Sequence, residues 1–145
     1  MSLSTAAATP PHRAERRRGQ AVVEFALVLP VFMVLLFGAI ELGRAFLALH
    51  LMTNASREGA RVGTLPNNLE GDVTTRVQEV MQSGGVDNYS VSVEVRDPAG
   101  NVRAGGLNDA QQGDHVEVSI DHPFQVISGI LSDFDLSASC VFRHE

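Results

Sequence analysis

Apolar residues form one unbroken stretch near the start of the chain. Residues 21–40 contain a single ionisable group, Glu24, among twenty positions. A helix of that length spans ~30 Å, which matches the hydrocarbon core of a bilayer. The pattern predicts a membrane-spanning helix over residues 21–40.

The helical spacing continues past this stretch. Apolar or small residues recur at steps of three and four, with polar residues between them, and toward the end only small residues remain. Leu65-Pro66 ends the pattern because proline disfavours helical geometry in the residue before it. We predict one helix over residues 20–63, with a membrane half (21–40) and a soluble half (41–63). The predicted inward stripe of the soluble half is Ala45, Phe46, Leu49, Met52, Thr53, Ser56 and Ala60, and its small end is Ala55, Ser56, Gly59, Ala60 and Gly63.

A second, shorter helix is predicted over residues 69–82. Its apolar positions recur at helical spacing, Asp72 and the two preceding asparagines are candidate caps, and Ser83-Gly84-Gly85 is a stop signal. The predicted apolar face is Leu69, Val73, Val77, Val80 and Met81.

The period then changes to two, which predicts half-buried strands over residues 89–96, 115–120 and 136–142. A turn is predicted at residues 97–101, followed by a short strand at Val102-Arg103. His122-Pro123 is predicted to end the middle strand, and residues 124–131 fit either a short helix or a surface loop.

These elements define the predicted fold class, α+β. Short connections favour an antiparallel sheet of three or four strands. One face of that sheet needs a cover, and the small-residue stripe of the long helix suits that role. Residues 64–145 would form the domain outside the membrane.

Charge is distributed unevenly around the apolar stretch. A basic cluster precedes it, and the chain after residue 19 carries seven basic against sixteen acidic residues. A basic flank predicts a cytoplasmic N-terminus, and the acidic remainder, which repels phosphate, argues against nucleic acid as a partner. The basic cytoplasmic flank consists of Arg13, Arg16, Arg17 and Arg18.

Catalytic and metal-binding patterns are absent from the sequence. The histidines lack metal-ligand spacing on a helix, and Ser128-Gly129 lacks the frame of a hydrolase nucleophile. Asp114-His115 and Asp121-His122 place an acid beside an imidazole, but neighbours in a strand point to opposite faces. We therefore expect no enzyme activity, no cofactor and no metal site.

The sole cysteine, Cys140, excludes an intramolecular disulfide. We interpret Cys140 as a small buried strand residue, and a bridge to a partner is the alternative.

The apolar stretch is longer than that of an ordinary signal peptide, and no clean cleavage site follows it, so a retained anchor is predicted. Glu24 has two interpretations at this stage. It is either an acid tolerated near headgroup water or the partner of a positive group, such as the upstream arginines or an amine made by cutting after Gly19.

An ordered series of features over residues 16–63 resembles the TadE-like family, the minor pilins or pseudopilins of the tight adherence (Flp-type) pilus. The matching features are the arginines before Gly19, Glu24-Phe25-Ala26, Leu29-Pro30, Gly38, Glu41 and Gly43, and the Ala-Arg segment at residues 55–61. The closing segment at residues 136–145 resembles the family more weakly.

The resemblance implies a pilin-like precursor in the bacterial inner membrane, with its C-terminal domain outside the cytoplasm. It implies cleavage by a prepilin peptidase between Gly19 and Gln20, so that residues 1–19 are a cytoplasmic leader. Glu24 and Phe25 would form the processing and assembly motif, and Pro30 would kink the helix.

The implied partners are the peptidase, other minor pilins or pseudopilins, and the inner-membrane assembly platform. The alternative hypothesis is an uncleaved, single-pass anchored binding or sensor domain whose ligand site lies near the loop at residues 104–113.

Overall fold

A computed structural model of the protein describes residues 12–129 and 132–144, with side chains from residue 19 onward. The chain divides into two compact units, Met1–Ala39 and Ile40–Glu145. Residues 1–12 are small and polar with two prolines, a composition that predicts disorder. Residues 1–11 fall outside the described residues, and His12 is helical.

Helix α1 spans His12–Gly63. The prediction that it begins at residue 20 is wrong, because the stretch from residue 13 to residue 18 contains good helix formers and follows Pro10-Pro11. Its predicted end is confirmed, and the Asn68 side-chain amide donates to the carbonyl of Val62 at 2.9 Å near this end. Pro30 lies inside α1, and the kink at Pro30 stays a prediction.

Helix α2 spans Glu70–Ser83, one residue later than predicted. The backbone N–H of Leu69 donates to the carboxylate of Asp72 at 2.9 Å, which confirms Asp72 as a cap. At the other end the N–H groups of Gly85 and Val86 donate to the carbonyls of Gln82 and Met81. Gly85 has φ of 68°, the left-handed geometry that closes such an end.

Within the described part of the chain, three antiparallel strands form one sheet in the order β1-β2-β3: β1 Ser90–Arg96, β2 His115–Phe124 and β3 Phe134–Arg143. Val95 lies opposite Val116, and Val118 lies opposite Cys140. The predicted α+β class is confirmed. The predicted short strand at residues 102–103 is only a single bridge between Val102 and Arg96, because the connection turns into a 3-10 helix, Gly106–Asp109.

Strand β2 passes through His122-Pro123, so the predicted break there is wrong. In the central strand β2 the backbone N–H and C=O groups of the even-numbered residues point toward β3, as the bond from the His144 N–H to the Asp114 carbonyl shows. The backbone groups of the odd-numbered residues therefore point toward β1. Strand β1 begins at Ser90, opposite Asp121. Pro123 therefore directs its missing N–H toward a side where no strand continues, and no ladder hydrogen bond is lost. Phe124 closes the strand, and the described residues between β2 and β3 form a loop.

The core lies between the inner face of the sheet, the soluble half of α1 and helix α2. The predicted small end of the α1 stripe is buried, and a Cβ placed on Gly59 would stand 2.7 Å from a methyl group of Val77 and 3.4 Å from one of Val118. Helix α1 therefore approaches α2 and the sheet closely at Gly59. The fully buried apolar side chains are Met52, Ala55, Ala60, Val73, Val77, Met81, Val95, Val116, Val118 and Ile120.

Part of the predicted stripe faces outward instead. Phe46 is 60% exposed and Leu49 36%, whereas Met52, Ser56 and Ala60 of the same stripe are buried as predicted. Ala48, which the prediction left out, is also buried, because its small side chain lets the sheet and α2 approach the helix. Leu69, predicted on the apolar face of α2, is 57% exposed because it precedes the helix as its cap.

Strand β2 runs along α1 in the opposite direction. A Cβ on Gly63 would lie 3.0 Å from Val116, a Cβ on Gly59 would lie 3.4 Å from Val118, and the Arg44 guanidinium lies 5.0 Å from the centre of the Phe124 ring. The loop that follows β2 is therefore at the Glu41 end of the helix.

Candidate functional site

The residues predicted for processing lie within α1. Gly19, Gln20, Glu24 and Phe25 are all helical and exposed. The predicted scissile bond is consequently inside a helix and not ahead of one. A Cβ on Gly19 would meet nothing within 4 Å, so no packing contact in the structure requires glycine at this position.

An exposed apolar surface follows Glu24 on α1. Phe25, Val28 and Phe32 are 64%, 58% and 55% exposed. Exposure of such a surface to water is unfavourable, and contact with lipid or with other apolar helices would cover it. Within the described residues α1 is the one helix long and apolar enough to cross a membrane, and it fits a membrane anchor. The side chains of the basic flank at residues 13–18 are outside the described side chains.

A buried carboxylate lies where the apolar stretch ends. Glu41 is 5% exposed. One of its oxygens accepts hydrogen bonds from the backbone N–H groups of Ile127 at 2.7 Å and Ser128 at 2.9 Å. Its other oxygen accepts from the guanidinium of Arg44 at 2.9 Å. Glu41 therefore fixes the β2–β3 loop to α1, and three donors compensate the cost of its burial.

Arg44 extends this contact to the end of β2. Its guanidinium lies over the Phe124 ring, a cation–π geometry, and approaches the carbonyl of Gln125 at 3.5 Å. The loop has a second fixed point, because the Val126 N–H donates to the carboxylate of Asp133 at 2.9 Å. These contacts define the Glu41 latch: Glu41, Arg44, Phe124 and the backbone of residues 125–128.

The sequence alone indicates only part of this latch. Glu41 and Arg44 have the i, i+3 spacing of a helical ion pair, worth at most a few tenths of a kcal/mol. The two backbone donors come from a loop more than eighty residues later in the chain, and nothing in the local pattern indicates them. The one available signal was an acid directly after a long apolar stretch.

A second polar cluster holds the loop before β2. Asp114 is 1% exposed and accepts from the Nη2 of Arg103 at 3.0 Å, from the Nε of Arg103, and from the Gln111 backbone N–H at 2.8 Å. Hydrogen bonds from Arg103 hold the pKa of the Asp114 carboxyl below its usual value, although burial acts in the opposite direction. The loop at residues 104–113, the ligand site of the alternative hypothesis, is thus braced by an internal ion pair.

Among residues 19–129 and 132–144 no three histidine, cysteine or acidic side chains form a group that could hold a metal ion. Cys140 is half-buried on the inner face of the edge strand β3, which fits its interpretation as a strand residue. Asp114, placed beside a histidine by sequence, is paired with Arg103.

The fold and the latch describe an α+β protein with a long apolar N-terminal helix and a small antiparallel sheet. The model of the TadE-like protein family matches residues 19–61, as the order of motifs predicted. The match begins at Gly19 and includes Glu24, Pro30 and Glu41. No curated protein and no solved structure matches the chain.

Proposed function

We propose that this chain is a minor pilin or pseudopilin-like protein in the biogenesis of a tight adherence (Flp-type) pilus. It is made as an inner-membrane precursor, with its N-terminus in the cytoplasm, and is cut by a prepilin peptidase between Gly19 and Gln20. The observation that carries the proposal is the TadE-like match over residues 19–61, which covers the residues proposed for processing and the apolar stretch.

Physical chemistry gives Glu24 a role in this scheme. Cleavage creates an ammonium group at Gln20, four residues and ~6 Å of helix from Glu24. A carboxylate alone in an apolar environment is penalised, whereas an ammonium and a carboxylate in one low-dielectric site attract strongly. The amine of one subunit would pair with Glu24 of its neighbour as the apolar helices associate. The partners proposed are therefore the peptidase, other minor pilins or pseudopilins, and the assembly platform.

Replacing Gly19 with a bulky residue is expected to block maturation. The Gly19→Leu chain should remain folded, because a Cβ at this position has no described atom within 4 Å. The intact mass of membrane-extracted protein, with and without the peptidase, measures cleavage: wild type should lose nineteen residues only when the peptidase is present. The matched control is Gly38→Leu, another α1 glycine with open space around it, which should be processed normally.

Replacing Glu24 with alanine is expected to leave membrane insertion intact and to impair incorporation into pili strongly. Insertion persists because the substitution removes a charge from the apolar segment. Sheared pili, probed for this protein by immunoblot, provide the measurement, and Gln20→Ala serves as a control that keeps the new amine. Normal incorporation of the Glu24→Ala chain into pili would contradict the role assigned to Glu24. The Gly19→Leu experiment would still decide separately whether the chain is cleaved.

An uncleaved membrane-anchored binding domain remains the second candidate. It predicts an N-terminus that is the same in cells with and without the peptidase. N-terminal sequencing of the membrane-bound chain separates the two functions in one measurement.

A further inference from the structure

The described part of the β2–β3 loop exposes an apolar side chain close to Glu41, the first residue after the apolar stretch. Ile127 is 77% exposed, the highest value among the exposed large apolar side chains of the described residues. Its backbone N–H is bonded to Glu41, so the loop is held in place while the Ile127 side chain points away from the core. An exposed apolar side chain on a backbone that is held in place in this way indicates a contact surface.

The position of the latch along the chain indicates which surface it meets. Glu41 directly follows Ile40, the last residue of the apolar stretch, and one residue of helix is ~1.5 Å of rise. The interfacial layer of a bilayer is several ångströms thick on each side. A backbone bonded directly to the Glu41 carboxylate is therefore at the level of the lipid headgroups when residues 21–40 span the core.

The loop is also chemically suited to that layer. Backbone polar groups close to lipid need hydrogen-bond partners within the protein, because little water is present there. The N–H groups of Val126, Ile127 and Ser128 all donate to carboxylates. Arg44, whose side chain is 41% exposed, places a cation where lipid phosphates lie. Leu42 and Phe46, each 60% exposed, add apolar surface on the same segment of α1.

We propose that residues 125–128 form a second membrane contact, with Ile127 inserted at the boundary between headgroups and acyl chains and Arg44 facing lipid phosphate. The loop and the Glu41 latch then hold the folded domain against the bilayer surface. This inference rests on the membrane anchor that the proposed function requires, but on neither cleavage nor pilus assembly.

The absence of tryptophan from the chain allows a direct test. The full chain, carrying Ile127→Trp, is placed in nanodiscs of phosphatidylcholine and phosphatidylglycerol whose acyl chains are brominated close to the headgroup. The expected result is strong quenching of the indole emission compared with unbrominated lipid. Phe32→Trp in the apolar stretch is the positive control. Val102→Trp, with the same 55% exposure as Phe32 but near the opposite end of the sheet, should not be quenched.

Each outcome decides the proposal. Quenching at position 32 without quenching at 127 overturns the loop contact and leaves the anchor intact. Quenching at neither position overturns the anchor and the loop contact together. An Ile127→Trp emission that shifts to the blue with protein concentration, without lipid quenching, shows that a second copy of the chain covers the loop, which also overturns the proposal.

A second measurement excludes the preference of tryptophan for membrane interfaces as the cause. In a Cys140→Ser background, Ile127→Cys and Val102→Cys are labelled with a water-soluble maleimide in the same nanodiscs. Lipid contact predicts labelling of position 127 several-fold slower than position 102, and equal rates would contradict it. In that chain Glu41→Ala should raise the rate at 127, because the loop loses two of its backbone anchors.

Discussion

Gly59→Leu is expected to destabilise the folded domain by about 3 kcal/mol or more, the upper end of the range for overpacked cores. The first added atom would already stand 2.7 Å from a methyl group of Val77 and 3.4 Å from methyl groups of Val73 and Val118. These are short, stiff side chains within the core, so relief requires movement of α2 or the sheet away from α1. The loss is a large fraction of the stability of an ordinary domain.

Gly43→Leu is the matched control, because Gly43 is also in α1 and a Cβ there meets nothing within 4 Å. It should be neutral or stabilising by up to ~1 kcal/mol, since leucine favours a helix more than glycine does. Urea unfolding of the full chain in mild detergent measures both, with the fluorescence of the sole tyrosine, Tyr89, which packs against the core, as the signal. Equal unfolding midpoints for the two variants would show that the close approach at Gly59 is not required.

Asp114→Asn is expected to cost about 2–3 kcal/mol at neutral pH, the value for a hydrogen-bonded buried ion pair reduced because Arg103 keeps contact with water. The Asp114 side chain is 1% exposed and that of Arg103 26%. The substitution removes the charge that two guanidinium N–H groups and the Gln111 N–H point toward. Asparagine keeps one acceptor oxygen for these three donors and adds an NH2 group that faces them, so the loop before β2 is held less firmly.

The same pair predicts a pH dependence. The pKa of Asp114 is lower in the folded chain, chiefly through hydrogen bonds from Arg103, than in the unfolded chain, where it is ~3.9. A lowered carboxyl pKa stabilises the fold above the unfolded value, and this contribution is lost as the pH falls through the folded one. The stability difference between wild type and Asp114→Asn should therefore be full at pH 7 and shrink below about pH 4.

Urea unfolding at a series of pH values checks this prediction. Asp135→Asn is the control, because Asp135 is exposed on the edge strand β3. Its difference from wild type should stay close to zero throughout. A difference between wild type and Asp114→Asn that stays constant from neutral to acidic pH would contradict the role given to the ion pair.

Much of the architecture was predictable because it depends on periodicity. The apolar stretch before residue 41 and the helical spacing after it predicted α1, and alternation predicted all three strands. The small residues at the end of α1 also indicated close packing, which Gly59 confirms. These features are local, and a local pattern expresses them directly.

Other features depend on partners distant in the sequence. The helical spacing placed Phe46 and Leu49 inward, but packing against α2 and the sheet buries Ala48 and leaves those two side chains exposed. Pro123 continues β2 only because β1 does not extend alongside it. The local pattern of α1 does not contain the first fact, and the local pattern of β2 does not contain the second.

The sequence by itself determined the apolar span, the class of the fold and the ordered motif from Gly19 to Pro30, because each is written in residue type and spacing. The tertiary structure alone decided what Glu41 and Asp114 do. Each carboxylate is buried and meets backbone donors or a guanidinium brought from elsewhere by the folding of the sheet. A buried charge is stable only when such partners surround it, and those partners come together only in the folded chain.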